Sequence, residues 1–147
     1  MDMTGKTILI TGASRGIGAE AARVFAMAGA NVGLLARSGN KVEALAADLG
    51  DRAFGMACDV ADYAQVDAGV RACVDKFGGL DVLINNAGVI PPVVSFDQMD
   101  QSDIDTVFEV NLSAAIALTR LVVPGMMARK SGHLFFTLYL SGAVTSP

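Results

Sequence analysis

The feature that most constrains the fold of this chain is the regular alternation of strand-length apolar runs with segments of helical period. Strands are predicted at residues 7–10, 31–36, 52–58, 80–84 and 134–139. Between these runs, apolar side chains recur at three- and four-residue spacing, as on one face of an α-helix. Strands separated by such helices pair in parallel through right-handed crossovers. The sequence therefore predicts a doubly wound α/β domain, with helices on both faces of an open parallel sheet.

The ends and buried faces of the helices follow from the same pattern. Gly29 and Gly50 come after the first two helices and are expected to end them. Asp62 and Gln65 are a predicted capping pair at the start of the third helix. The side chains expected to face inward from that third helix are Val66, Val70, Cys73, Val74 and Phe77.

The longest helix is predicted from Gln101 to about Ala128, where Pro124 should kink or end it. Its expected buried face consists of Ile104, Phe108, Leu112, Ala115 and Val122. Residues 89–100, which include Pro91 and Pro92, are predicted to be a surface loop.

Composition excludes several classes of function. The 147 residues carry a formal charge of -4 and show no repeat or linker, which predicts one domain over residues 1–147 with no nucleic-acid or anionic-membrane partner. The most apolar stretch, residues 114–128, is interrupted by Arg120 and Pro124, so no bilayer span is expected. No signal-peptide core is present near Met1, which favours the cytoplasm.

The residues that most often bind metals are few. His133 is the single histidine, and Cys58 and Cys73 are the two cysteines. We therefore expect neither a metal site nor a disulfide framework, and both thiols are expected to be small core side chains.

A glycine-rich loop follows the first strand and leads into a helix. It reads Thr11-Gly12-Ala13-Ser14-Arg15-Gly16-Ile17-Gly18. Glycines at such a turn let a pyrophosphate approach the backbone amides and the positive end of the helix. Tight strand-to-helix turns also use glycine for packing alone, so this loop by itself leaves both interpretations open.

A second small loop, Asn85-Asn86-Ala87-Gly88, follows the fourth strand. In a doubly wound sheet the ligand crevice lies outside the carboxyl ends of the strands, where successive connections leave in opposite directions. The first and fourth strands are expected to flank that point, which would place the two loops opposite each other.

The pairing of Thr-Gly-x-x-x-Gly-x-Gly with Asn-Asn-Ala-Gly resembles the short-chain dehydrogenase/reductase family. Asp59-Val60 after the third strand and Asn111 in the long helix extend the resemblance. It implies a Rossmann-type domain that helps to transfer a hydride between a nicotinamide cofactor and a small carbonyl or alcohol substrate. The cofactor-binding residues that it implies are Gly12, Ser14, Arg15, Gly16, Ile17, Gly18, Arg37, Ser38, Asp59, Val60, Asn85, Asn86, Ala87 and Gly88.

The cofactor is predicted to be NADP, with NAD as the less favoured alternative. A site selecting NAD normally offers a carboxylate near the end of the second strand, whereas a 2′-phosphate requires a cation there. No acidic residue lies between Glu20 and Glu43, while Arg15, Arg37 and Ser38 could hold a phosphate. The alternative is that both arginines are solvated surface charges.

Two residues have a structural and a functional interpretation. Asp59 would lie beside the adenine ring by resemblance, but it could equally be a turn or helix-entry residue. Asn111 is by resemblance the asparagine of the catalytic tetrad. It is expected on the buried face of its helix, where it should also bridge to the backbone near the fourth strand.

The sequence departs from the family pattern at the fifth strand and beyond. Leu138 and Tyr139 align with the serine pair that holds the active-site serine, and Ser141 lies two residues further on. The Tyr-x-x-x-Lys motif of the family does not occur before the last residue, Pro147. These departures predict a chain truncated after its fifth strand and inactive alone. The alternative is a non-catalytic dinucleotide-binding module or interaction subunit.

A fold of this extent should also associate with itself. The fifth strand would be a sheet edge lined by Leu134, Phe135, Phe136 and Leu138. The long helix would lack cover over Leu112, Ile116 or Leu118. We therefore expect a homo-oligomer or a self-associating chain.

Overall fold

The computed structural model describes residues 2–138 as alternating strands and helices. The strands are β1 (Thr7–Thr11), β2 (Asn31–Ala36), β3 (Ala53–Ala57), β4 (Val82–Asn85) and β5 (His133–Phe136). The helices are α1 (Gly16–Met27), α2 (Gly39–Leu49), α3 (Tyr63–Phe77), α4 (Gln101–Phe108) and α5 (Ala114–Ala128). A π-helical turn, Glu109–Ser113, joins α4 to α5, and a short 3₁₀ helix, Phe96–Gln98, lies in the loop before α4.

The strands form one parallel sheet in the order β3-β2-β1-β4-β5. The first strand, β1, pairs with β2 on one side and with β4 on the other. The connections therefore leave β1 and β4 in opposite directions, as the sequence predicted, and the carboxyl ends of these two strands flank the crevice.

The core consists of two apolar layers, one on each face of the sheet. Ile8 and Ile10 of β1 pack with α1 and α2, while Leu9 between them faces α3 and α5. This alternation follows from the two-residue period of a strand, which points successive side chains to opposite faces. The predicted doubly wound, Rossmann-type α/β fold is confirmed.

The start of α3 has a capped end. The carboxylate of Asp62 accepts hydrogen bonds from the backbone N–H groups of Ala64 at 2.9 Å and Gln65 at 3.2 Å. Nε2 of Gln65 also donates to the carboxylate, at 2.8 Å. These bonds, first the backbone and then the side-chain bond from Gln65, hold the pKa of Asp62 below its usual value. Gln65 does not complete a reciprocal box, because its Oε1 accepts instead from the N–H of Asp59 at 2.9 Å.

The inward face of α3 was predicted with one error. Val66, Val70 and Cys73 are buried, but Val74 is 39% exposed. Gly69 is buried on this face instead of Val74. The glycine leaves room for Leu35 of β2. Because glycine has no apolar side chain, a helical period based on apolar residues does not include it.

The predicted buried face of the long helix was wrong in its first half. Phe108 and Leu112 are exposed, Ile104 and Ala115 are half-buried, and Val122 is buried as predicted. The other buried residues of the helix are Ala114, Leu118 and Met126. The π-helical turn adds a residue to the helix between α4 and α5, so a constant period carried from residue 104 loses its phase. Pro124 lies inside α5, which continues to Ala128 rather than ending at the proline.

The helical segment Gln101–Ala128 is long and apolar enough, by those two criteria, to cross a membrane. The expectation that no segment suffices was therefore wrong on length and hydropathy. The observation is weak evidence for a membrane span, since a core helix of a soluble protein passes the same test. In this helix, Leu118 and Val122 pack in the core beside the sheet.

Candidate functional site

The crevice at the carboxyl ends of β1 and β4 is organised by one buried hydroxyl. Thr11, which is 1% exposed, accepts hydrogen bonds at its Oγ1 from the N–H groups of Asn86 and Ala87, both at 3.0 Å. The same hydroxyl donates to the carbonyl of Ile84 at 3.4 Å. The two loops singled out in the sequence are therefore held together through a single side chain.

The Asn86 amide fills the space between the two loops. Its Nδ2 donates to the carbonyl oxygens of Thr11 at 3.0 Å and Gly12 at 3.3 Å. A Cβ atom added at Gly18 would lie 2.6 Å from that nitrogen, and one added at Gly12 would lie 2.9 Å from the Cα of Ala87. Both glycines are therefore required by close packing, and Gly12 also has a φ of +66°.

The amino end of α1 is open towards solvent. Arg15 precedes the helix in an extended conformation, and among the described residues no side chain caps this end. Gly16, with a φ of +56°, would place an added Cβ in open space. Ser14 is half-buried and Ile17 is 69% exposed. The free first-turn N–H groups and the absence of an acidic residue in that turn leave a positive end that favours an anion.

The end of β2 lies against the glycine loop, because the N–H of Ala13 donates to the carbonyl of Leu35 at 3.2 Å. Arg37 follows two residues later and is exposed, and Ser38 is the residue before α2. Within residues 2–138, neither Arg37 nor Arg15 forms an ion pair or a side-chain hydrogen bond. Both guanidinium groups are therefore available to a ligand.

Asp59 and Val60 follow β3. The Asp59 carboxylate accepts from the N–H of Ala61 at 3.1 Å, so the turn interpretation of this residue is observed directly. Val60 is buried. The proposed contact of Asp59 with adenine stays a prediction.

Asn85 differs from the other predicted site residues. Its side chain is buried, and in the described part of the chain neither its Oδ1 nor its Nδ2 has a hydrogen-bond partner. It lines a cavity of about 10 Å³ together with Val60, Ala114 and Leu118. A space of this size is at the lower limit for one water molecule, and the role of Asn85 in cofactor binding stays a prediction.

Asn111 lies in the π-helical turn and is exposed, so the expected burial was wrong. Its Oδ1 accepts from the N–H of Val89 at 2.8 Å, and its Nδ2 donates to the carbonyl of Val89 at 2.9 Å. The predicted bridge to the backbone after β4 is confirmed, and it places Asn111 beside exposed Gly88.

The two thiols are buried and free. Burial raises the pKa of Cys58 to about 11, with a smaller contribution from the negative charges of Asp59 and Asp62. Burial alone raises the pKa of Cys73 to about 12. Both thiols are therefore protonated and unreactive near neutral pH.

Sequence reasoning missed two features. A cleft of about 410 Å³, lined by Tyr63, Ser113, Ile116, Ala117, Arg120 and Leu121, lies between the start of α3 and the outer side of α5. It shares no residue with the glycine loop. The second is Thr137, whose hydroxyl donates to Oδ1 of Asn86 at 3.3 Å. The cleft has no local sequence signal. For Thr137 the only signal is a polar residue within a run of apolar strand residues. Tyr139 and Ser141 lie outside the described residues.

The parallel sheet and its strand order define the class of Rossmann-type α/β domains. A sequence model described as short chain dehydrogenase matches residues 6–147, so the chain belongs to that family of oxidoreductases.

Three relatives match more than nine-tenths of this chain. Oxidoreductase UcpA of Salmonella typhimurium is 41% identical over 143 residues, which cover 95% of this chain and 54% of UcpA. Nodulation protein G of Rhizobium sp. (strain N33) is 40% identical, covering 99% of this chain and 59% of that protein. The 3-oxoacyl-[acyl-carrier-protein] reductase FabG of Vibrio cholerae is 37% identical, covering 91% and 54%. The chain thus spans about half the length of the curated relatives it matches.

Proposed function

We propose that this chain binds NADP(H) at the crevice between β1 and β4 and forms part of an oxidoreductase that reduces a carbonyl group or oxidises the corresponding alcohol. The observation that carries the proposal is the pair of loops joined through Thr11 and Asn86 beside an uncapped helix end. Such an arrangement leaves backbone N–H groups free for a pyrophosphate.

The available residues fit the cofactor. Gly16 leaves open space at the start of α1, and Gly12 and Gly18 keep the loop close to Asn86. Arg15 and Arg37 have no partner in the part of the chain that the structure describes, so either could face a 2′-phosphate. No carboxylate follows β2 before Glu43. These observations favour NADP over NAD.

The chemistry of hydride transfer comes from the nicotinamide when the cofactor is bound. The chain itself orients the cofactor through its loops and contributes Asn111, whose amide holds the segment after β4 in place. Reduction of an oxo group is supported by the names of relatives such as the ketoacyl reductase HetN of Nostoc sp., which is 40% identical.

Titration of the 147-residue chain with NADPH and NADH by calorimetry tests the cofactor. We expect NADPH to bind more tightly, and Arg37→Ala to weaken NADPH binding by about 1.5 to 3 kcal/mol through loss of a charge-assisted contact. The matched control is Arg52→Ala, which removes another exposed arginine, located at the amino ends of β2 and β3 rather than at their carboxyl ends. Equal affinities for the two cofactors, or an NADH preference that persists in Arg37→Ala, would contradict the assignment.

We further propose that the 147 residues alone reduce no carbonyl compound at an appreciable rate. Of the tetrad implied by the resemblance, Asn111 is the member that matches, and a missing proton donor typically costs about 10² to 10⁴ in rate. Turnover of a ketone and aldehyde panel that is abolished by Tyr139→Phe would overturn this. Tight cofactor binding without turnover would be consistent with the second candidate function, a non-catalytic dinucleotide-binding subunit.

Association with a second copy is also proposed. Leu112 and Ile116 are 51% and 53% exposed on the outer side of the long helix, whereas Leu118 is buried at 1% and does not contribute as expected. Phe135 and Phe136 are about half-exposed on β5.

The two buried, free thiols suit a reducing compartment, so we also propose a cytoplasmic location for the protein.

A further inference from the structure

The Asn86 amide is held at both ends. Its Nδ2 faces the carbonyl oxygens of Thr11 and Gly12, which can only accept, so this end of the amide must carry the donor. Its Oδ1 therefore points away from the glycine loop and accepts from the hydroxyl of Thr137. The two carbonyl groups fix the orientation of the amide, and the Thr137 hydroxyl, which can donate or accept, is compatible with it.

Thr137 is itself held by backbone pairing. It follows the last residue of β5, and its N–H donates to the carbonyl of Asn85 at 2.9 Å, which extends the pairing of β4 with β5 by one residue. Its hydroxyl is thereby presented to the neighbouring residue, Asn86. The carboxyl ends of β5, β4 and β1 are linked through this amide.

The glycine loop depends on where the amide lies. An added Cβ at Gly18 or Gly12 would lie 2.6 Å or 3.1 Å from Nδ2 of Asn86, so the loop packs directly against that atom. A rotation of the Asn86 side chain would displace Nδ2 and remove its bonds to the loop carbonyls. Holding the Asn86 side chain in one rotamer therefore also holds the glycine loop that leads into α1.

We propose that Thr137 is a positioning residue for dinucleotide binding, acting through the amide of Asn86 on the glycine loop. This inference rests on the proposed function and adds a residue of β5's carboxyl end to the site. Because Thr137 is exposed and its bond to Asn86 lies at the surface, removal of the hydroxyl leaves no buried polar group unpaired, but the Asn86 amide loses a partner of fixed position. The effect should therefore fall on binding rather than on the stability of the fold.

The test compares Thr137→Val, which keeps the shape of the side chain, with Thr137→Ser, which keeps the hydroxyl. Calorimetry with NADPH should show about 2- to 12-fold weaker binding for Thr137→Val, the fold-change that corresponds to one net hydrogen bond. Thr137→Ser should restore the affinity. Thr106→Val is the matched control, because it removes a hydroxyl bonded to the carbonyl of Ser102, on α4.

A second measurement needs no cofactor. In ¹⁵N-labelled protein, the side-chain amide signals of Asn86 should shift in Thr137→Val and return in Thr137→Ser, while Thr106→Val leaves them in place. Thermal unfolding of the unliganded variants should stay near that of the original chain. If the chain binds NADPH and Thr137→Val binds it equally well, the positioning role is overturned and the proposed function stands. If the original chain binds no dinucleotide, both are overturned.

Discussion

The centre and the edge of the sheet contain similar residues in very different surroundings. All five residues of β1 are buried, whereas β5, which also consists mainly of large apolar residues, has Phe135 and Phe136 at 54% and 48% exposure. The centre has a strand on each side and helices on both faces. Within residues 2–138, β5 has a single neighbouring strand, β4.

This difference in burial distinguishes a region whose geometry is already fixed from one whose surface further contacts would stabilise. The loops that follow β1 and β4 are joined by hydrogen bonds of a buried hydroxyl and a half-buried amide, so their geometry is set inside the described residues. The outer side of the long helix and the free face of β5 expose apolar area that further contacts would stabilise. The glycine loop and the surface around β5 can therefore be tested separately.

The largest effect is expected at the centre, from Thr11→Val. The substitution leaves the N–H groups of Asn86 and Ala87 without their acceptor, at a cost of about 1 to 3 kcal/mol for each group left unpaired. Thr7→Val is the control, because Thr7 is similarly buried at the other end of the same strand and its hydroxyl holds neither of these two N–H groups. Urea unfolding of both variants measures the difference. Equal losses would mean that the two loops are not held through Thr11.

The next effect concerns the outer side of the long helix. We expect the double variant Leu112→Ser and Ile116→Ser to weaken self-association, because each large apolar side chain buried in a contact contributes roughly 1.5 to 3 kcal/mol. Sedimentation velocity measures the oligomer population. Phe96→Ser is the control, since Phe96 is exposed in the loop before α4. A protein that is already monomeric before substitution would show that this surface is not a contact.

A smaller loss of stability is expected from Gly18→Ala. The added Cβ would approach Asn86 and the carbonyl of Gly12 to 2.6 Å, and overpacking of this kind costs typically about 1 to 3 kcal/mol. Gly79→Ala is the control, because its added Cβ meets only the end of the flexible Arg129 side chain at 3.5 Å. Calorimetry with NADPH should show weaker binding for Gly18→Ala alone. Unchanged binding would exclude Gly18 from the site.

The smallest effect is the pH dependence contributed by the buried thiols. The pKa of Cys58 is raised to about 11, so the folded state holds its proton more tightly than the unfolded state. The resulting stabilisation is fully present below the unfolded pKa, near 9, and is lost as pH rises towards 11. Comparison of Cys58→Ala with the original chain by urea unfolding between these pH values isolates this contribution. A difference in stability that does not change over the interval would contradict it.

Much of the fold could be predicted because it depends on local pattern. The bounds of β2 agree with the predicted strand, and the order of strands and helices follows from alternating periods. The switch point between β1 and β4 follows from the same alternation and from the handedness of the crossovers. The glycine spacing and Asn-Asn-Ala-Gly located the two loops, since the backbone at these positions requires small residues.

The face of the long helix and the surroundings of individual side chains were decided by tertiary structure. The π-helical turn at Glu109–Ser113 changes which residues of that helix face the sheet, and no apolar period predicts such a turn. The partners of Thr11, Asn86 and Thr137 come from three strands far apart in the chain. Periodicity and motif spacing depend on neighbours along the chain, whereas these contacts depend on the order of strands in the sheet. Sequence thus located the loops, and packing of the strand ends determined which atoms hold them together.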